Sequence, residues 1–122
     1  SRCIASYNGE NGIEVWDGCL VVDNDCSANG FQHDGSGIEV VNLGSTIRDN
    51  RVSANNRGIK LRHGRNLVIN NFLYDNASKN ISTVAGNRIG TLKAARSSPN
   101  LEGNSDSNTG LAITSPWANF SY

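Results

Sequence analysis

The chain has no methionine, only two prolines, and aromatics at 7% of its 122 residues. It therefore lacks the large side chains from which a compact core of this length is usually packed. Charge of one sign is missing too. Eleven Lys and Arg balance eleven Asp and Glu, which leaves no basic stripe of the kind that marks a nucleic-acid partner. No apolar run approaches the roughly 20 residues that span a bilayer, and the N-terminus carries no signal-peptide pattern. Neither nucleic acid nor membrane is an expected partner. Three cysteines, Cys3, Cys19 and Cys26, are an odd number with no CxxC spacing, and no histidine stands at ligand spacing from them. Neither a metal nor a cofactor is expected. Cys26 reads as a small buried hydrophobe, while Cys3 and Cys19 sit at turns, where they can pair or stay free.

What the chain does have is glycine and a repeat. GIEVWDGCLVVDNDCSAN from Gly12, GIEVVNLGSTIRDNRVSAN from Gly37 and GIKLRHGRNLVINNFLYDN from Gly58 are one pattern written three times. Alignment sets Ile13 over Ile38 and Ile59, Val15 over Val40 and Leu61, Val21 over Ile47 and Val68, and Cys26 over Val52 and Leu73. A stacked repeat buries each unit against its neighbours, so small apolar residues suffice for its core.

Within each copy the apolar residues alternate, as in a half-buried strand, and Gly or Asn interrupts every few positions, which excludes a helix. The Leu-x-x-Leu-x-Leu signature of a leucine-rich repeat is absent. Three short strands and three bends per copy predict an all-β parallel β-helix of about four coils, 21 to 26 residues each. Like residues would stack at the ordinary interstrand spacing of ~4.8 Å. Residues 2–8 read as the tail of an earlier coil. A weaker fourth coil continues through Ile81, Ile89 and Ala94, with Leu92 and Ser97 where the other coils have asparagine. Residues 1–94 are thus read as coils and 95–122 as an irregular C-terminal cap of the same domain.

Two asparagine columns recur: Asn24, Asn50 and Asn71, then Asn8, Asn29, Asn55 and Asn76. An inward amide at a bend can satisfy the local backbone and its counterpart one coil away, so these predict hydrogen-bonded ladders. The second column steps by 21, 26 and 21 residues. The extra length falls in GFQHDGS, residues 30–36, and a lengthened turn in a solenoid is where a functional loop is expected.

With those columns in place, residues 3–94 resemble right-handed parallel β-helix repeat proteins of the pectate-lyase-like superfamily. The closing stretch, from NISTVAGNRIG through SPWANFSY, is similar to the C-terminal end of uncharacterised bacterial β-helix repeat proteins. The resemblance implies a right-handed coil, an extracellular or cell-surface location, and a ligand lying along the outer face of the first-strand sheet. Members include polysaccharide lyases, glycoside hydrolases, alginate epimerases and phage tailspike depolymerases, so the fold leaves activity open. This chain departs from the enzymes in having few coils and no residue-by-residue match to their Ca²⁺-carboxylate cluster with its catalytic Arg or Lys.

That outer face would carry Glu14, Trp16, Glu39, Lys60 and Arg62, with Asp34 and His33 overhanging from the long turn and His63 following Arg62. An indole for a sugar ring, with charged groups for hydroxyls or uronates, is carbohydrate-binding chemistry. The same charges also suit a solvated sheet face, with Glu39 and Lys60 as a cross-strand pair worth roughly 0.2 to 1 kcal/mol. The expected function is a noncatalytic structural or binding module, carbohydrate-directed. The alternative is a small polysaccharide lyase or glycoside hydrolase acting on an acidic polysaccharide, with His33, Lys60 or Arg62 as the proton acceptor. Uncapped coil ends, or the sheet face, also predict a homo-oligomer.

Overall fold

The computed structural model describes residues 2–90, 92–94, 101–102, 106–107 and 119–121, and it is built of strands, with no helix among the described residues. In chain order the strands are β1 (Ile4–Ser6), β2 (Ile13–Val15), β3 (Leu20–Val22), β4 (Asp25–Ser27), β5 (Ser36–Val40), β6 (Thr46–Arg48), β7 (Arg51–Ser53) and β8 (Arg57–Leu61). There follow β9 (Leu67–Ile69), β10 (Phe72–Tyr74), β11 (Lys79–Ser82), β12 (Arg88–Ile89), β13 (Leu92–Ala94), β14 (Leu101–Glu102), β15 (Asp106–Ser107) and β16 (Asn119–Ser121). They form three parallel sheets in a solenoid of about four coils. The orders are β1-β4-β7-β10-β16-β13, β2-β5-β8-β11-β14 and β3-β6-β9-β12-β15, here called sheets A, B and C.

The register is the one the repeat dictates. Ile13 pairs with Ile38 and Ile38 with Ile59, Val21 with Ile47 and Ile47 with Val68, Cys26 with Val52 and Val52 with Leu73. These columns fill the interior, and from the second coil on Ile38, Val40, Ile47, Val52, Ile59, Val68 and Leu73 are fully buried. Cys26 lies among them, and burial pushes its thiol up to about 12, so it acts as a core hydrophobe and not as a nucleophile. All three cysteines are free.

The coils turn at bends of one design: a residue in the left-handed region, then an inward polar residue, which is buried in the middle coils and partly or fully exposed at Asn8, Asn24 and Asn76. Asp23, Asp49 and Asn70 (φ 53 to 58°) precede Asn24, Asn50 and Asn71, while Tyr7, Ala28, Ala54 and Asp75 (φ 54 to 59°) precede Asn8, Asn29, Asn55 and Asn76. Asp and Asn tolerate this conformation better than other side chains, which accounts for the recurring DN dipeptide. From the second member of each column on, at Asn29, Asn50, Asn55, Asn71 and Asn76, Oδ1 accepts two bonds from the asparagine one coil earlier, from its backbone N–H and from its Nδ2. For Asn55 Oδ1 these measure 2.9 and 3.0 Å, both from Asn29. The Nδ2 of each of these five also donates to a backbone carbonyl, as Asn50 does to Val21 O at 2.9 Å.

A third ladder was not visible in the sequence. Its members are Cys19, Ser45, Asn66 and Asn87: Cys19 N donates to Ser45 Oγ at 3.1 Å, Ser45 N to Asn66 Oδ1 at 2.9 Å and Asn66 N to Asn87 Oδ1 at 2.9 Å. Gly18, Gly44, Arg65 and Gly86 supply the left-handed residue before each. Because the polar side chain changes identity down this column, only the preceding glycines hinted at it.

The fourth coil departs from expectation in sheet A. Ile81 and Ile89 hold their predicted columns, on Ile59 and Val68, but Ala94 does not stack on Leu73. The C-terminal strand β16 enters between them, pairing with β10 on one side and β13 on the other. Leu92 therefore does not take the asparagine's place; Asn119 does, accepting from Asn71 N and Nδ2 at 3.0 Å each. The physical reason is plain: Asn71 carries two donors that leucine cannot satisfy. The other column closes on Asn80, whose Oδ1 accepts from Asn76 Nδ2 at 2.7 Å. Ser97 lies outside the described residues.

The glycine of GI-x-V is set by contact with the ladder. A Cβ on Gly12, Gly37 or Gly58 would stand 2.7, 2.7 and 2.9 Å from the Nδ2 of Asn29, Asn55 and Asn76 respectively. Glycine and asparagine columns are thus one device, in which the bare backbone makes room for the amide.

A polar groove under the long turn

The extra residues form the turn at Phe31 to Asp34, between β4 and β5. Gly30 at φ 83° and Gly35 close it, with Gly35 N donating to Gly30 O at 3.2 Å, and a Cβ on Gly30 would come within 2.3 Å of the Gly35 backbone. Gln32 N donates to Gly9 O at 3.1 Å, so the turn leans toward the N-terminal coil. Beneath it lies a groove of ≈ 180 Å³. It brings together His33 and Asp34 from the turn, Glu14 from β2, Glu39 from β5, and Lys60 and Arg62 from β8 and the residue after it. Glu10, Asn11 and Gly35 complete the lining.

Glu39 is the centre of this arrangement, and only 1% of it is exposed. Its Oε1 takes Arg62 Nε directly and Lys60 Nζ at 3.5 Å, and its Oε2 accepts from Asn11 Nδ2 at 2.6 Å. The expected pair with Lys60 is present, but Arg62 is the closer partner. Asn11, which the sequence reading missed, also donates to Glu14 Oε2 at 2.8 Å and accepts Ser36 N at 2.8 Å. It thereby bridges two carboxylates that face one another across adjacent strands. The only signal for it was its position one residue before the GI-x-V pattern.

Burial pushes the Glu39 carboxyl up, but the hydrogen bonds from Arg62 and Asn11 and the charges of Lys60 and Arg62 outweigh it, so the net shift is downward. The ionised form then stabilises the fold: the contribution is complete above the ordinary value of 4.5 and is lost as pH falls through the lower folded value. Thermal midpoints of wild type and Glu39→Gln should therefore differ at neutral pH and converge in acid below that window. A gap that stays constant down to about pH 2 would show that the Glu39 charge contributes nothing.

Asp34 is held below the usual carboxylate range chiefly by the Arg57 guanidinium, with Asn56 Nδ2 donating to Oδ1 at 3.0 Å. It is an anchor of the turn on the following coil. Two of the predicted residues do not line the groove. Trp16, 61% exposed, stands two residues beyond Glu14, and His63 is exposed at the bend before Asn66, where its carbonyl accepts Asn66 Nδ2 at 2.9 Å. Among the described residues no group of three or more His, Cys, Asp or Glu is placed to hold a metal ion.

Fold and bends together define a parallel β-solenoid repeat protein with buried asparagine ladders. No family model, curated protein or solved structure matches the chain.

Proposed function

We propose that the chain is a noncatalytic module of a right-handed, pectate-lyase-like β-helix, directed at carbohydrate through the groove on sheet B. The observation that carries this reading is Glu39. Lys60 and Arg62, two of the three candidate proton acceptors, are both drawn onto a buried carboxylate that forms the groove wall, which argues against a lyase that would use either as its base. What the groove offers a ligand is hydrogen-bonding edges. Its lining holds four carboxylates, Glu10, Glu14, Asp34 and Glu39, against Lys60 and Arg62. That balance favours a neutral polyhydroxylated ligand over a polyuronate. Trp16, outside the groove, is the stacking surface for an adjoining sugar ring.

A glycan array with neutral and acidic oligosaccharides tests the reading. Neutral glycans should be retained, Glu14→Ala should weaken retention by about tenfold, and Trp16→Ala should weaken it less. Release of reducing ends, or an ultraviolet rise from an unsaturated uronate, would replace the module with an enzyme. No retained glycan on the wild type would remove the site.

A further inference from the structure

Among the described residues two buried side-chain atoms have no hydrogen-bond partner, Ser36 Oγ and Arg57 Nε. Both belong to one column. Ser36 and Arg57 are register partners on β5 and β8, and Asn11, whose Oδ1 accepts Ser36 N, stands one coil earlier. Ser36 is 0% exposed. A buried hydroxyl or N–H left unpaired is destabilising, so native proteins contain few of them. Here two stand on neighbouring strands, whose spacing of ~4.8 Å one oxygen atom can bridge with two ordinary hydrogen bonds. That oxygen must accept from Arg57 Nε, which only donates, and it can donate to or accept from the serine. An ammonium is thereby excluded, and a carboxylate would enter beside Glu10 and Glu39 of the groove wall. A hydroxyl fits both partners.

What lies across Arg57 is the long turn. The Asp34 carboxylate meets Arg57 Nη1 directly, and the Asp34 carbonyl accepts from the same nitrogen at 3.2 Å. Asp34 is 64% exposed in its side chain, so this pair is screened and weak. The turn is tied to the N-terminal coil and across its own base by single backbone bonds, Gln32 N to Gly9 O at 3.1 Å and Gly35 N to Gly30 O at 3.2 Å. All four of its residues, Phe31 to Asp34, are exposed, so no buried side chain pins it. A segment with few buried contacts opens at low free-energy cost, and the glycines at its two ends can take up the backbone change. We propose that the long turn is a lid on the groove, and that when Asp34 lifts from Arg57 one hydroxyl of a neutral glycan accepts from Arg57 Nε and donates to Ser36 Oγ. The proposal rests on the carbohydrate reading of the groove and adds a subsite to it.

Two measurements test this. Hydrogen exchange on the free protein reads the lid: the amides of Gln32 and Gly35 should exchange at least about 100-fold faster than those of Ile38 and Val40 in β5. Equal protection would overturn the lid whatever the ligand. Affinity for neutral oligosaccharides of glucose, galactose and mannose reads the subsite. Ser36→Ala should weaken it about tenfold, while the thermal midpoint of the free protein holds or rises, because the hydroxyl removed has no partner there. Asp34→Asn keeps a side chain suited to the left-handed backbone at φ 58°. It should tighten binding roughly two- to fivefold, since the lid then opens more easily. Weaker binding by Asp34→Asn would make Asp34 a fixed wall of the site and overturn the proposal. A Ser36→Ala variant that binds like wild type would overturn it too, as would one with a lower midpoint, whose hydroxyl then serves an ordered water in the free protein. Those results leave the carbohydrate reading standing, whereas a wild type that binds none of the oligosaccharides removes reading and subsite together.

Discussion

Asn119→Ala is expected to lower stability by about 3 kcal/mol, although the residue lies three positions from the end of the chain. The amide of Asn119 is fully buried and makes four hydrogen bonds. Its Oδ1 accepts from Asn71 N and Nδ2, and its Nδ2 donates to Val68 O and Gly90 O, all at 3.0 Å. Alanine removes all four bonds and leaves the buried Asn71 N–H without its acceptor, while Asn71 Nδ2 keeps Ile47 O and Ile69 O and Val68 O keeps Gly90 N. An ordinary near-terminal substitution costs a few tenths of a kcal/mol, so the two outcomes separate cleanly in a urea titration. Asn76→Ala is the useful comparison. Asn76 is at a bend of the same design, but it is partly exposed, and water can replace some of what it loses. If Asn119→Ala costs no more than Asn76→Ala, the closing strand does not hold the slot between β10 and β13.

Gly37→Ala should be of similar size, about 3 kcal/mol, the upper part of the range for overpacking a filled core. The added methyl would meet Val52 Cγ1 at 2.5 Å and Asn55 Nδ2 at 2.7 Å. Neither neighbour can move freely. Val52 is fully buried, and Asn55 Nδ2 is already committed to Cys26 O and Asn76 Oδ1 at 3.0 Å each. The damage should thus reach the ladder as well as the core, and Asn55 amide protons should exchange faster in the variant. Gly18→Ala makes a sharp contrast, because nothing lies within 4 Å of its added Cβ and its cost is that of a left-handed alanine alone, roughly 1 kcal/mol. Equal losses for the two variants would remove the steric coupling between the glycine and asparagine columns.

The fold was legible because a solenoid repeats its instructions. Ile13, Ile38 and Ile59 occupy one column in the sequence for the same reason that they stack in space, and a single alignment fixes the register of sheet B. Two ladders were legible for the same reason. The third was hidden because the requirement at that bend is a polar acceptor of any kind, which Ser45 meets with a hydroxyl and Asn66 with an amide. Asn119 was hidden because its partner is not one coil away in sequence, so no period points to it. The groove was legible only in part. Strand alternation placed Glu14, Glu39, Lys60 and Arg62 on one face, and the extra turn length announced His33 and Asp34. Nothing in the spacing told that Glu39 would sink below the surface while Arg62 closed over it, since that depends on side-chain length and on Asn11 reaching in from a bend.

The insertion of β16 also sets an order in time. Coils that hydrogen-bond only to the coil before them can form as the chain emerges, each on the last, and their contacts span about one coil of sequence. Asn71 must wait for a partner 48 residues later, so the slot beside β10 remains a loose edge until the final residues of this segment have been made. Closing so long a loop carries an entropic cost that the earlier stacking steps do not. The solenoid therefore grows like a zipper for three coils and finishes like a latch, with its last strand as the bolt.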